Sequence, residues 1–260
     1  MSSRYRNAIR LRKLSLFGLV AVLLAISACD HAPAAKTDEN AQRALPELAD
    51  DMPAIPTAAF TEDNKRLVRD TFDSIQSIQN QIRNQELSPW MIKTDEVRIS
   101  LAEYVFTMKS KELIHALNQW NEKPSGEEVL RHMITEALTV HHAKQTGITV
   151  THEEVRDMID MQMRAMKDTV PKISAEQLTL YIMEQRIRIT GLSEEDFWNS
   201  EELYSAYEAA IYTNKLMGHI LADEDLIGME SYRALQAELY TDFWKKHRIQ
   251  VPDLSELDPV

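Results

Sequence analysis

Eight histidines, 41 acidic residues and a single cysteine make up the reactive inventory of this 260-residue chain. One cysteine closes no intrachain disulfide and builds no Cys-rich zinc module. His141-His142 is the most suggestive pair. Adjacent helical residues point about 100° apart, however, so they cannot clamp one ion as residues four apart can. Glu128, His132 and Glu136 do have that four-residue spacing; with no cysteine and no His-Glu-x-x-His sequence beside them, they read as solvated helix side chains. His152-Glu153 is followed by Glu154-Val155-Arg156, which breaks the zinc-protease pattern. The carboxylate pairs Glu194-Glu195 and Glu201-Glu202 fall at helix starts, where negative charge offsets the positive end of the helix dipole. Neither a Gly-x-Ser-x-Gly elbow nor a phosphate- or dinucleotide-binding glycine loop occurs in the sequence. The inventory predicts no catalytic residue, no metal and no cofactor.

Cys29 is the exception, because of where it stands. Arg4, Arg6, Arg10, Arg12 and Lys13 precede an uncharged stretch, Leu14 to Ala28, and no acidic residue occurs before Asp30. A basic start, an apolar run too short for the roughly 20 residues of a spanning helix, and small residues at its end describe an export signal. Ile26-Ser27-Ala28-Cys29 resembles a bacterial lipobox, which implies cleavage before Cys29 and acylation of its thiol and new N-terminus. The competing reading is an uncleaved signal anchor with an incidental cysteine. Cleavage would remove five basic and no acidic residues, turning a net charge of −12 into a body charged −17. Such a body suits neither nucleic acid, which needs clustered Lys and Arg, nor a disulfide fold. The expected location is the extracytoplasmic face of the cell membrane, held there by lipid.

The methionines Met158, Met161, Met163 and Met166 form the other unusual cluster. Flexible, polarisable thioethers fill irregular cores and also serve surfaces that bind varied apolar partners. Met163 is set apart from Met158, Met161 and Met166 around a helix, so one neighbour cannot bury all four. They are the candidate client-binding residues. Trp90, Trp120, Trp198 and Trp244 fit a core or a groove equally well.

The elements that position these residues are helices. Six glycines in the whole chain leave little for turn-rich folds. Residues 30–60 carry Pro33, Pro46, Pro53 and Pro56 without apolar periodicity, as a flexible tether would. Leu67, Val68, Phe72, Ile75, Ile78 and Ile82 recur every three or four residues, predicting a helix over 61–86 that Ser88-Pro89 stops. A second helix is expected over 101–121, burying Leu101, Val105, Met108, Leu113, Leu117 and Trp120. Just before it, Val97 to Leu101 alternates like a short strand. Ser125-x-x-Glu128 and Thr151-x-x-Glu154 have capping-box form, and Ser174-Ala-Glu-Gln177 and Ser193-Glu-Glu-Asp196 open two further helices, the second a long one. Gly147 and Gly191 stand where left-handed residues end helices. A last helix runs over 229–247, and Arg248 to Val251 fits a terminal strand. The fold class is therefore all-α, with room for one short terminal strand pair.

Residues 129–138 followed by Ala143-Lys144-Gln145-Thr146-Gly147-Ile148-Thr149-Val150 and Glu153-Glu154-Val155 resemble the N-terminal helical chaperone domain of the SurA and PrsA type of exported foldase. Gly191-Leu192-Ser193-Glu194-Glu195-Asp196-Phe197 is similar to a later junction of that family. The resemblance covers roughly residues 95–251 and implies a chaperone domain over 95–252; the residue pattern itself sets a signal peptide at 1–28, a tether at 29–60 and a leading helix over 61–94 ahead of it, with a tail over 253–260. Such domains begin with a strand and an Asn-Gly turn, whereas no glycine occurs from Val97 to Met108. They commonly accompany a prolyl isomerase domain, yet the 36 residues between Leu192 and Met229 fall short of the roughly 50 that a domain needs. The implied function is a membrane-tethered chaperone for unfolded or exported polypeptides, without isomerase activity and without a small-molecule substrate. The alternative is an interaction module for one envelope partner.

Overall fold

In a computed structural model, residues 58–84, 87–168, 170–171, 173–223 and 228–247 are described, and 77% of them are helical. The fold is mostly α, as expected, with one short antiparallel strand pair. Cys29 and the expected strand at Arg248 to Val251 lie outside the described residues.

Helix α1 (Glu62–Arg83) starts where the Thr61 hydroxyl accepts the Asn64 N–H at 3.2 Å. Its apolar stripe buries Val68, Phe72, Ile75 and Ile78. It stops three residues earlier than its periodicity suggested, at Asn84, whose N–H returns to Asn80. Strands β1 (Trp90–Lys93) and β2 (Arg98–Ser100) follow, with Ile92 opposite Ile99. The pair is thus internal rather than terminal. It turns without glycine, because Thr94 replaces a backbone turn: its hydroxyl accepts the Val97 N–H at 2.9 Å, and its own N–H donates to the Val97 carbonyl.

Ser100 ends β2 and begins α2 (Leu101–Leu117) in a full capping box with Glu103. Helix α2 ends four residues short of expectation. Gln119 adopts a left-handed φ of 57°, and the Trp120 N–H reaches back to His115, which reverses the chain. Trp120 therefore leaves the helix and stands 47% exposed rather than buried. Helix α3 (Gly126–Gln145) has the Ser125–Glu128 box and ends at Gly147, φ 85°. Helix α4 (His152–Asp168) begins at the Thr151–Glu154 box.

Helix α5 (Ser174–Thr190) departs from the expected cap. Ile173 occupies the N-cap, and the Glu176 carboxylate accepts its N–H. The Ser174 hydroxyl instead accepts the Phe60 N–H at 2.6 Å, pinning the chain ahead of α1 onto α5. The long helix expected from Ser193 is two: α6 (Glu194–Trp198) and α7 (Glu201–Asp223). Asn199 closes the first by donating its amide to Glu195, and the Ser200 hydroxyl caps the second by accepting the Leu203 N–H. Helix α8 (Gly228–Lys246) completes the described chain.

Helix α1 packs against α2 and α5, α3 against α7 and α8, and α4 chiefly against α7. The largest core joins Val68, Phe72 and Ile75 to Leu113, Leu178, Ile182, Phe197 and Tyr207; a second joins Ile78, Ile92, Ile99 and Tyr104 to Leu130, Ile134 and Phe243. A small third core holds Ala143, Tyr212, Leu216 and Tyr232.

Candidate client-binding surface

The methionine cluster sits on α4, whose position is set from its first turn. Lys215 on α7 donates to the Thr149 carbonyl at 2.8 Å and pairs with Glu154; its ammonium and the Thr151 backbone hold the Glu154 carboxyl below its usual range. His152 stacks on Tyr204 with ring centres 5.3 Å apart. Arg156 donates to the Asn199 side chain at 3.0 Å. The start of α4 is thereby fastened to α6 and α7.

Cover then falls away along the inner stripe. Val155, Ile159, Gln162 and Met166 follow one another at spacings of four, three and four, so they share a face. Val155 and Ile159 are fully buried, Gln162 keeps 6% of its surface, and Met166 is only half-buried. Met158 and Met163 flank this stripe, half-buried against the large core, while Met161 stands 48% exposed on the outer side. One methionine is left uncovered, as the angular argument required, but it is Met161 rather than Met163. The reason is the direction of the core, which the stripe of Val155 and Ile159 defines and the four methionines alone do not.

Within this stripe the Gln162 side-chain oxygen is buried and accepts no hydrogen bond. A buried amide acceptor without a partner is costly unless something donates to it. That oxygen is enclosed by the body of the protein and offers nothing to a client; what α4 leaves accessible is Met161 on its outer side and the half-buried Met158, Met163 and Met166. Sequence reasoning missed Gln162 because a glutamine among methionines reads as an outward-facing polar residue.

Beyond α4 two further apolar side chains face outward. Val170 is 77% exposed and Ile173 60%. Arg164 and Lys167, near the end of the helix, make only loose ion pairs, at 3.9 Å to Asp160 and 4.0 Å to Glu194.

The histidines are dispersed. His132 Nε2 lies 3.5 Å from Glu136, but Glu128 is committed to the Ser125 cap, so the triplet does not converge. The Ser125 backbone and hydroxyl hold the Glu128 carboxyl below its usual value. His141 and His142 line an open cleft of about 200 Å³ with Glu96, Gln145, Asp242 and Lys246, floored by Leu138, Leu239 and Phe243. His141 engages Gln145 within it at 2.9 Å. No group of three His, Cys, Asp or Glu able to hold a metal occurs among the described residues. Nor, among them, is any helix long and apolar enough to cross a membrane. The carboxylate pairs Glu194-Glu195 and Glu201-Glu202 occupy the first turns of α6 and α7.

Arg186, which no sequence signal marked, is buried on α5 with its guanidinium 5.0 Å from the Phe106 ring centre and 5.6 Å from that of Phe197. Burial pulls its pKa down, opposed by the charge of Glu202, and burial raises that of the neighbouring Tyr207 phenol.

No protein-family model matches the chain. No solved structure matches it either. A stretch of 124 residues is 26% identical to the glutamate-rich protein GrpA of Alkalihalophilus pseudofirmus, covering 47% of this chain and 73% of that protein.

Proposed function

We propose that this protein is a lipid-anchored extracytoplasmic chaperone that holds unfolded or newly exported polypeptides, without prolyl isomerase activity. Cys29 carries the anchor, and the methionine-bearing surface of α4 receives the client. What supports the reading most is that α4 carries an exposed Met161 and leaves Met158, Met163 and Met166 only half-buried. The mainly helical fold is of the class expected for the SurA and PrsA type of chaperone domain. Holding is passive: apolar client segments lie against thioethers that adapt to varied shapes. The strongly acidic body keeps the loaded complex soluble.

The test is aggregation of a chemically reduced model client, followed by light scattering, with the full chain added in increasing ratio. Suppression by the wild type, weakened by Met161→Lys with the helical spectrum unchanged, is the expected result. An intact protein with no effect on aggregation refutes the chaperone. Capture of one stoichiometric envelope partner in place of a spread of clients would assign this surface to a dedicated interaction. The anchor is read separately: Cys29→Ser should abolish incorporation of labelled fatty acid, and globomycin should block removal of residues 1–28.

A further inference from the structure

We infer that the corner where α4 ends and α5 begins is a lipid-surface contact, laid against the same membrane in which Cys29 is anchored. The inference rests on the lipid-anchor part of the proposed function and not on client binding. Val170 and Ile173 are the two most exposed of the large apolar side chains among the described residues, and they project from a single corner with Pro171 between them. Isolated exposed aliphatic groups are common on soluble proteins. Here two occur within four residues of chain, just after the last turns of α4, where Arg164 and Lys167 make only loose ion pairs with Asp160 and Glu194.

What identifies the occupant is the path of the chain. Phe60 donates its N–H to Ser174, the residue after Ile173, and its ring meets Tyr181 edge-on at 6.1 Å. The polypeptide arriving from Cys29 therefore joins the folded body at this corner. A lipid on Cys29 thus draws this corner, where the anchored end of the chain enters the body, toward the bilayer. Two aliphatic side chains and two cations bind a bilayer only weakly alone, but tethering raises their effective concentration to the millimolar range. Arg164 and Lys167 offset Asp160 and Asp168 at this end of α4, so the apolar tip meets anionic headgroups with less repulsion than the acidic body as a whole. The contact would orient the body, setting the methionine surface of α4 at a fixed attitude to the membrane.

The experiment uses the full chain, lipidated by an exporting host and reconstituted into phosphatidylcholine–phosphatidylglycerol vesicles. Acylation blocks the native thiol, so Ile173→Cys carries the one reactive thiol and takes an environment-sensitive fluorophore; Glu238→Cys on α8 is the control. Nitroxide lipids should quench the label at 173 several-fold more than that at 238, and adding Val170→Asp should abolish the difference. Equal, weak quenching at both positions on protein that floats with the vesicles overturns the inference while leaving the anchor intact. Wild-type protein that floats no better than Cys29→Ser removes the anchor and this inference together. A blue shift that grows with protein concentration in detergent, without vesicles, assigns the corner to a second copy of the chain and also overturns it.

Discussion

A guanidinium buried against two phenyl faces, as Arg186 is between Phe106 and Phe197, gains cation–π attraction but gives up much of its hydration. Arg186→Ala forfeits the attraction and leaves a cavity, and is expected to cost about 2–4 kcal/mol. Arg186→Met fills a similar volume without a charge to desolvate, so it should fall within about 1 kcal/mol of the wild type or exceed it. Urea unfolding at constant slope distinguishes them; equal losses would show that the positive charge itself holds the site together. The same contrast between burial and exposure governs the methionines. Met161→Lys should leave the unfolding midpoint nearly unchanged, whereas Met166→Lys, on the inner stripe, should lower stability by about 1–3 kcal/mol. A reversed order would place the core on the other side of α4. Methionine spacing was legible in the sequence, but the direction of the core was not, since four residues of one type do not say which side their neighbours occupy. Arg186 left no trace in the sequence either, because its phenyl partners lie on other helices, Phe106 on α2 far back along the chain and Phe197 on α6 beyond the turn that ends α5.

Helix boundaries follow from hydroxyls and carboxylates at the ends of each segment. The Ser125–Glu128 and Thr151–Glu154 boxes were readable and form as read. Ser100-Leu-Ala-Glu103 carries the same signal but was masked by the alternation of the strand before it; the strand ends on the residue that caps the helix. Ser174 shows the reverse, a cap-like sequence whose hydroxyl is taken by Phe60, a partner 114 residues away. The break at Asn199-Ser200 escaped the apolar periodicity because Phe197 and Leu203 stay in one core across it. Ser125→Ala is expected to cost about 1 kcal/mol in thermal unfolding near neutral pH. Hydrogen bonds from Ser125 depress the Glu128 pKa below its ordinary 4.5, and the Lys215 ammonium with the Thr151 backbone does the same for Glu154. Folding depresses both values, so their stabilisation is complete above about pH 5 and lost as the pH falls through the depressed folded-state values. Acid titration followed by circular dichroism should therefore show a shallower loss of stability below pH 4.5 in Glu128→Gln than in the wild type, and parallel curves would remove this carboxylate from the acid response.

At the scale of the molecule, most of the long helices belong to two cores at once. Helix α1 puts Phe72 in the first and Ile78 in the second, α2 puts Leu113 in the first and Tyr104 in the second, and α3 carries Ile134 in the second and Ala143 in the third. Helix α7 links the first and third through Tyr207 and Leu216, and α8 links the second and third through Phe243 and Tyr232. A helix cannot lose one half of its packing without weakening the other, because its backbone hydrogen bonds form cooperatively. This coupling was hidden in the sequence: each stripe could be read as apolar, but not as divided between neighbours. It follows that the described body should unfold in one transition even though its cores are separate. Leu216→Ala, in the smallest core, should cost about 2–5 kcal/mol and shift the tryptophan-fluorescence and far-ultraviolet transitions by the same amount. The four tryptophans make the comparison sensitive, since Trp198 is buried in the first core and Leu216 in the third, while Trp90, Trp120 and Trp244 are exposed. Were the third core to melt alone, the helical signal would fall before the emission of Trp198 changed, and the body would have to be described as two folding units joined by α3, α7 and α8.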